Sequence, residues 1–416
     1  MKVLWIVNIV MPDLAEHIGI PIAASGSWMV DLSHGLSENE NNKLAIACVY
    51  GKEYRKIELG NIIYYILPGN GKDMFFYSKK VEKHWRNVYE DFEPDIVHIH
   101  GTEYSHGLSF LRKYPNVPSI INIQGVLNKI KDVDFADVPL RHYIFGRTIK
   151  QWLKMNGEIE MHFIHKRNAK YESEMFSRVD AVNGVGMWDT AIAKSINPNL
   201  KTYAIQYNLR DEFYSSRKWD IEKINRHTIF TNPGGIPLKG LHMLIKACAL
   251  LKDKYPDIKI RVPGMNGING NVVVTGAYSK YVNKLIEQLG MQGKIEFLGK
   301  QTGSQMIENS LNSHVAVIPS SIEGTSLILR ESMFLGVPSI ATFRGGMAEY
   351  VSNGVDGFLY DFPEYTNLAE YIDRLFKDDE LCKTLSQNAI KKGELAHARK
   401  SNVEAHEQMY IEILNK

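Results

Sequence analysis

The sequence predicts an α/β protein made of two doubly wound domains. Three observations carry that prediction. Short apolar runs alternate with segments of helical period from the first residue onward, as parallel strands joined by crossover helices do. At 416 residues the chain is too long for one ordinary core. Twice in the carboxyl-terminal half, a strand runs through glycines directly into a helix, at residues 233–240 and 320–327. That geometry points unpaired N–H groups and a helix dipole at an anion.

Composition narrows the classes. Net charge is +2, with 49 basic and 47 acidic residues interspersed, which argues against nucleic acid as a partner. No apolar run reaches about 18 residues, so no transmembrane helix is expected. Residues 1–8 superficially resemble a leader, but the run is too short and Met11-Pro12-Asp13 is no small-residue cleavage site, so a first strand is expected. Cys48, Cys248 and Cys382 lie far apart in apolar stretches. They are expected to be buried, reduced thiols of a cytoplasmic protein, with no disulfide framework and no metal site.

In the amino-terminal half, strands are expected at Val3–Asn8, Leu44–Tyr50, Ile62–Leu67, Asp95–His100, Ser119–Ile123, Val179–Asn183 and Thr202–Ile205, with helices at Ser27–Ser37, Val81–Phe92 and Leu108–Tyr114. Gly26 opens the first of these helices, where backbone can approach a ligand at a strand's carboxyl end. In Asp95-Ile96-Val97-His98-Ile99-His100-Gly101 the two histidines share a strand face, but no third ligand accompanies them, so a metal is not expected. His98 reads as a core residue, while His100, beside Gly101, is placed for the open end of the strand; His106 follows in a turn. The next strand ends in Gln124-Gly125. Residues 126–170 form an insertion rich in basic and aromatic side chains, among them Arg141, Phe145, Lys150, Trp152, Lys154 and Phe163. Such a stretch either rests on anionic lipid headgroups or forms an ordinary solvated helix pair. The residues by themselves leave both readings open.

The domain boundary is expected between Tyr207 and Arg226, dividing the chain into 1–210, joined by a returning helix at 401–416, and 211–400. Strand Thr228–Asn232 leads through Gly234 and Gly235 to Lys239-Gly240 and helix Leu241–Leu251. Consecutive glycines before a helix can form an anion nest, to which Lys239 adds a mobile point charge. Strands at Ile258–Val262, Ile295–Leu298 and His314–Pro319 alternate with helices at Tyr278–Leu289 and Ser304–Leu311. Then comes Ser320-Ser321-Ile322-Glu323-Gly324-Thr325-Ser326, with Gly324 for a sharp turn and Thr325 or Ser326 to cap helix Leu327–Leu335. Glu323 lies in the turn and Glu331 inside the helix. A carboxylate at either place accepts hydrogen bonds from two neighbouring hydroxyls, as a sugar ring offers. Strand Ser339–Ala341 and helices Asn367–Phe376, Leu381–Ala396 and Val403–Leu414 follow.

Glu323 and Glu331, seven residues between them, resemble the E-x7-E motif of the retaining GT-B glycosyltransferases of family four. The resemblance extends to Asp95–Gly101, to Lys239-Gly240, to Gly345-Gly346-Met347-Ala348-Glu349 and to Asn353-Gly354-Val355-Asp356-Gly357, and is most specific from Ile229 to Leu359. It implies a GT-B fold of two Rossmann-like domains facing across a cleft, and transfer of a sugar from a UDP- or GDP-sugar to a glycan or lipid-linked acceptor in surface polysaccharide biosynthesis. Because many members act on lipid-linked acceptors, the resemblance also favours weak peripheral membrane contact, at the inner face of the membrane, for residues 126–170. No cofactor or metal is implied beyond the donor substrate. By this resemblance Glu331 takes the ribose, Glu323 and the backbone of Gly324, Thr325, Ser326 and Leu327 face the donor sugar and phosphate, and Lys239 with Gly234 and Gly235 faces the diphosphate. The Gly26 loop would face the acceptor or the diphosphate, His100 would lie at the cleft, and Lys300 near the base. Two departures stand out. Gln124 occupies the position of a usual histidine, and Gly234 or Gly235 that of a usual arginine, for which Arg261, Arg330 and Arg344 are candidate substitutes that the sequence does not choose among. A non-catalytic sugar-nucleotide binder and a sugar-nucleotide epimerase therefore remain as alternatives.

Overall fold

In the computed structural model, which describes residues 1–22, 26, 28–268, 270–324 and 326–415, the chain divides into two compact units. The first contains Met1–Lys131, Ile164–Arg210 and Ala396–Lys416, and the second Asp132–Phe163 and Asp211–Leu395.

The first unit is built on eight strands: β1 (Lys2–Ile6), β2 (Lys43–Val49), β3 (Arg55–Leu59), β4 (Ile62–Leu67), β5 (Ile96–His100), β6 (Ser119–Asn122), β7 (Ala181–Asn183) and β8 (Lys201–Tyr203). They pair in the order β3-β4-β2-β1-β5-β6-β7-β8. All neighbours run parallel except β3, which lies antiparallel to β4 at the edge. Central strands β2 and β5 are buried on both faces, as strands of a parallel sheet with crossover helices are. Sequence order reverses direction between β1 and β5, so their carboxyl ends open the crevice where such sheets bind ligands. Helix Arg399–Leu414 returns to this unit. Its Tyr410 hydroxyl takes a hydrogen bond from Trp5 Nε1 (3.1 Å) and sits 2.7 Å from His98 Nδ1.

The second unit carries β9 (Asn225–Thr231), β10 (Lys259–Pro263), the two-residue strands β11 (Gly267–Ile268) and β12 (Asn271–Val272), β13 (Ile295–Gly299), β14 (Ser313–Ile318), β15 (Ser339–Thr342) and β16 (Phe358–Tyr360). Its parallel sheet has the order β13-β10-β9-β14-β15-β16, with β11 and β12 forming a separate hairpin. The switch point here lies between β9 and β14. The expectation of one continuous unit over 1–210 needs correcting, because residues 132–163 belong to the second unit. Helix Ala277–Gln288 explains why. Its first amides need acceptors, and Ala277 N donates to Gln151 Oε1 (3.0 Å) while Tyr278 N donates to Glu158 Oε1 (3.1 Å). His242, on helix Leu241–Leu251, closes a further bond with the Ala136 carbonyl (2.8 Å).

Candidate functional site

In the second unit the two glycine turns meet at the switch point. The Lys239 ammonium stands 2.5 Å from Glu323 Oε1, which also accepts from Ser320 Oγ at 2.9 Å. Ser320 in turn receives Asn232 Nδ2 (2.7 Å), so the ends of β9 and β14 are joined by side chains. Backbone closes the same gap, with Ser321 N donating to Leu238 O (2.8 Å). Gly240 makes this possible. Its φ is +69°, and a Cβ there would lie 1.8 Å from the Pro319 carbonyl oxygen, so only glycine lets the lysine loop lie on the end of β14. Glu323 is held from the other side by Gly345-Gly346, since Gly346 N donates to Glu323 O (2.9 Å) and a Cβ on Gly345 would meet that same oxygen at 2.1 Å.

Beyond Gly324, Ser326 caps helix Leu327–Leu335, accepting from Leu329 N at 3.4 Å. Glu331 is buried within that helix. Thr325 lies outside the described residues. Gly234 packs under Leu241, whereas open space lies in front of Gly235. Two of the substitute arginines are engaged elsewhere: Arg261 bonds Glu296 (3.0 Å) and Arg344 bonds Asp361 (3.0 Å). Arg330 is buried with its guanidinium 4.5 Å from the centre of the Tyr350 ring. Lys300 directly follows β13, the edge strand of this sheet.

The first unit gathers a different set at the ends of β1, β5 and β6. Gln124 Oε1 accepts from Asn8 Nδ2 at 3.4 Å. His100 does stand at the carboxyl end of β5, but its side chain does not open there. It is fully buried, with its ring 4.4 Å from Trp5 and 5.7 Å from Trp28, and burial pushes its pKa well below the ordinary value. His106 is buried likewise and lowered to about 4. Gly26 has φ +84° and packs on Ile9, whose Cδ1 would be 2.0 Å from an added Cβ.

Sequence reasoning missed Glu103. A Cβ on Gly101 would lie 2.6 Å from Glu103 Oε2, 3.0 Å from Asn8 Nδ2 and 3.1 Å from Gln124 Oε1, and one on Gly125 would lie 2.8 Å from Glu103 Oε1. The two glycines thus clear the space in which these three polar groups converge. Glu103 Oε2 has no hydrogen-bond partner among the described residues. Burial, reinforced by the nearby Glu172 carboxylate, pushes Glu103 up to about 7, against backbone hydrogen bonds that act the other way. Glu172 itself is buried but accepts from Thr102 Oγ1 (2.6 Å), Leu127 N (3.0 Å), Asn128 N (2.8 Å) and Asn128 Nδ2 (2.7 Å). A signal was available: an acid three residues past a central strand, flanked by glycines, at a reversal of strand order.

The glycosyl transferases group 1 family matches residues 222–392. Among curated relatives, D-inositol 3-phosphate glycosyltransferase of Corynebacterium urealyticum is 31% identical over 143 residues, which is 34% of this chain and 33% of that protein. The chain spans 33%, 37% and 51% of the length of the first three curated relatives. Sucrose-phosphate synthase from Thermosynechococcus elongatus superposes with a TM-score of 0.75 at 15% identity, covering 100% of both chains. Anabaena HepE in complex with UDP and glucose does so with a TM-score of 0.67 at 15% identity, covering 98% of this chain and 99% of that one. A Lys–Glu pair at the switch point, a matched family segment and full-length agreement in fold lead to one assignment: the chain carries a glycosyl transferases group 1 domain at residues 222–392 and has the GT-B fold.

Proposed function

We propose that the protein is a retaining glycosyltransferase, moving a sugar from a UDP- or GDP-sugar to a glycan or lipid-linked acceptor in surface polysaccharide assembly. The observation that carries this reading is the Lys239–Glu323 contact of 2.5 Å at the switch point of the group 1 domain. Lys239 and the amides of 324–327 stabilise the diphosphate as it departs, a charge that grows in the transition state. Glu323, held at its backbone by Gly345-Gly346, faces the donor sugar, and Glu331 takes the ribose hydroxyls. Gln124 orients the sugar or acceptor by hydrogen bonding and carries no proton.

Calorimetric titration with UDP- and GDP-sugars tests the donor site. A charge-assisted hydrogen bond contributes about 1.5–3 kcal/mol, so Glu331→Ala is expected to weaken the bound donor roughly ten- to 150-fold. Unchanged affinity would remove Glu331 from the site. Gln124 favours one second reading, a binder that does not turn over. Release of nucleotide diphosphate by the parent protein, lost in Lys239→Ala, supports the transferase; tight binding without any release supports the binder.

A further inference from the structure

Residues 138–157 contain no acidic side chain and four strongly basic ones, Arg141, Arg147, Lys150 and Lys154. They form two short helices, Leu140–Phe145 and Ile149–Lys154. What these helices bury is unusual. The first is anchored by Tyr143, whose hydroxyl donates to the Phe135 carbonyl (3.0 Å), and the second by Gln151, which caps helix Ala277–Gln288. The large apolar residues are left in solvent: Phe145 is 84% exposed, Ile149 82%, Leu153 78% and Trp152 68%. A helix packed on a water-soluble protein turns its apolar stripe inward; this pair hides a glutamine and presents a tryptophan. Concentrated apolar exposure of this kind marks an interaction surface.

The surrounding charge selects the occupant. Arg141, Lys150 and Lys154 are exposed on the same two helices, interleaved in sequence with the apolar side chains. A second copy meeting this face across a two-fold axis would set these cations against their own counterparts. An anionic bilayer neutralises them instead, because lysine stems lie along the acyl boundary while their ammonium groups reach the headgroups, and tryptophan favours that depth. We propose that residues 140–155 dock the protein on an anionic lipid surface. Phe145, Ile149, Trp152 and Leu153 enter the headgroup–acyl boundary, and Arg141, Lys150 and Lys154 contact lipid phosphates.

Vesicle flotation tests this directly. The parent protein is expected to float with vesicles of equimolar phosphatidylcholine and phosphatidylglycerol and to stay behind with phosphatidylcholine alone. Tryptophan emission should shift to the blue on binding; of the six tryptophans only Trp152 is highly exposed. Ile149→Glu/Trp152→Glu should abolish both signals, and Lys150→Gln/Lys154→Gln should weaken binding roughly thirtyfold. All four side chains are exposed, so unfolding temperature and sugar-nucleotide affinity should stay at the parent values. No flotation, equal flotation with both vesicles, or flotation undiminished in Ile149→Glu/Trp152→Glu overturns the proposal. So does light scattering that shows a dimer which Ile149→Glu/Trp152→Glu dissociates. Because sugar-nucleotide titration needs no lipid, failure here leaves the transferase reading standing, and failure there leaves this one.

Discussion

Single residues decide the chemistry that each switch point can hold. Glu103 is one whose consequence is measurable without a substrate. Its carboxyl stays protonated in the folded protein up to about 7, whereas in the unfolded chain it ionises near 4.5. Between those values the folded state binds more protons, so this group's contribution to stability is complete below 4.5 and is lost as pH rises through 7. The effect is on the order of 3 kcal/mol. Glu103→Gln is expected to flatten the fall in stability across that window relative to the parent, as read by urea unfolding at about pH 5 and about pH 8. A parallel pair of curves would mean that Glu103 ionises normally. Gly240 makes a second case. Gly240→Ala forces a left-handed backbone on a residue with a Cβ and drives that atom into Pro319 O. A loss of more than about 2 kcal/mol is expected from strain and clash together. Donor affinity should fall as well, because the loop carrying Lys239 must shift; a variant with parent-like melting and binding would show that the loop adapts freely.

At the scale of elements, legibility followed burial. Helices Leu241–Leu251 and Leu327–Leu335 have the bounds expected from their apolar pattern and flanking glycines. Strand β3 escaped notice because Arg55-Lys56-Ile57-Glu58-Leu59 is an edge strand with mostly polar, exposed positions. The β11–β12 hairpin is too short to leave a period. The 132–163 segment was assigned to the wrong half because nothing local reveals that Gln151 caps a helix 126 positions later. Gln151→Ala leaves the Ala277 amide without that acceptor and is expected to cost about 1 kcal/mol, with faster hydrogen exchange at the start of helix Ala277–Gln288. Unaltered exchange there would mean that the cap contributes nothing.

Across the whole molecule, several imidazoles are enclosed in the core, four of them His98, His100, His106 and His406 of the first unit. His98 and His100 are pushed well below their ordinary pKa by burial, and His106 and His406 down to about 4. A lowered folded-state pKa reverses the sign argued for Glu103: stability is complete above 6.5 and is lost as pH falls towards 4. Acid should therefore unfold this unit through a steep transition in that window, followed by tryptophan emission from Trp5, which packs against His98 and His100. Constant stability from 6.5 to 4 would show that these rings ionise without disturbing the fold.

The sequence alone determined the class of fold, the two-part organisation and the placing of Lys239 and Glu323 in glycine turns with Glu331 in the helix that follows, because each is written in a local pattern of apolar period, turn residues and spacing. Tertiary structure alone decided that His100 is buried beneath tryptophans, that Glu103 stands at the first switch point with a raised pKa, that Gly240 and Gly345 fit against the backbone of distant turns, and that the 140–155 helices show their apolar side to solvent. Burial and the approach of remote backbone are properties of the packed chain. A residue's immediate neighbours in sequence do not contain them.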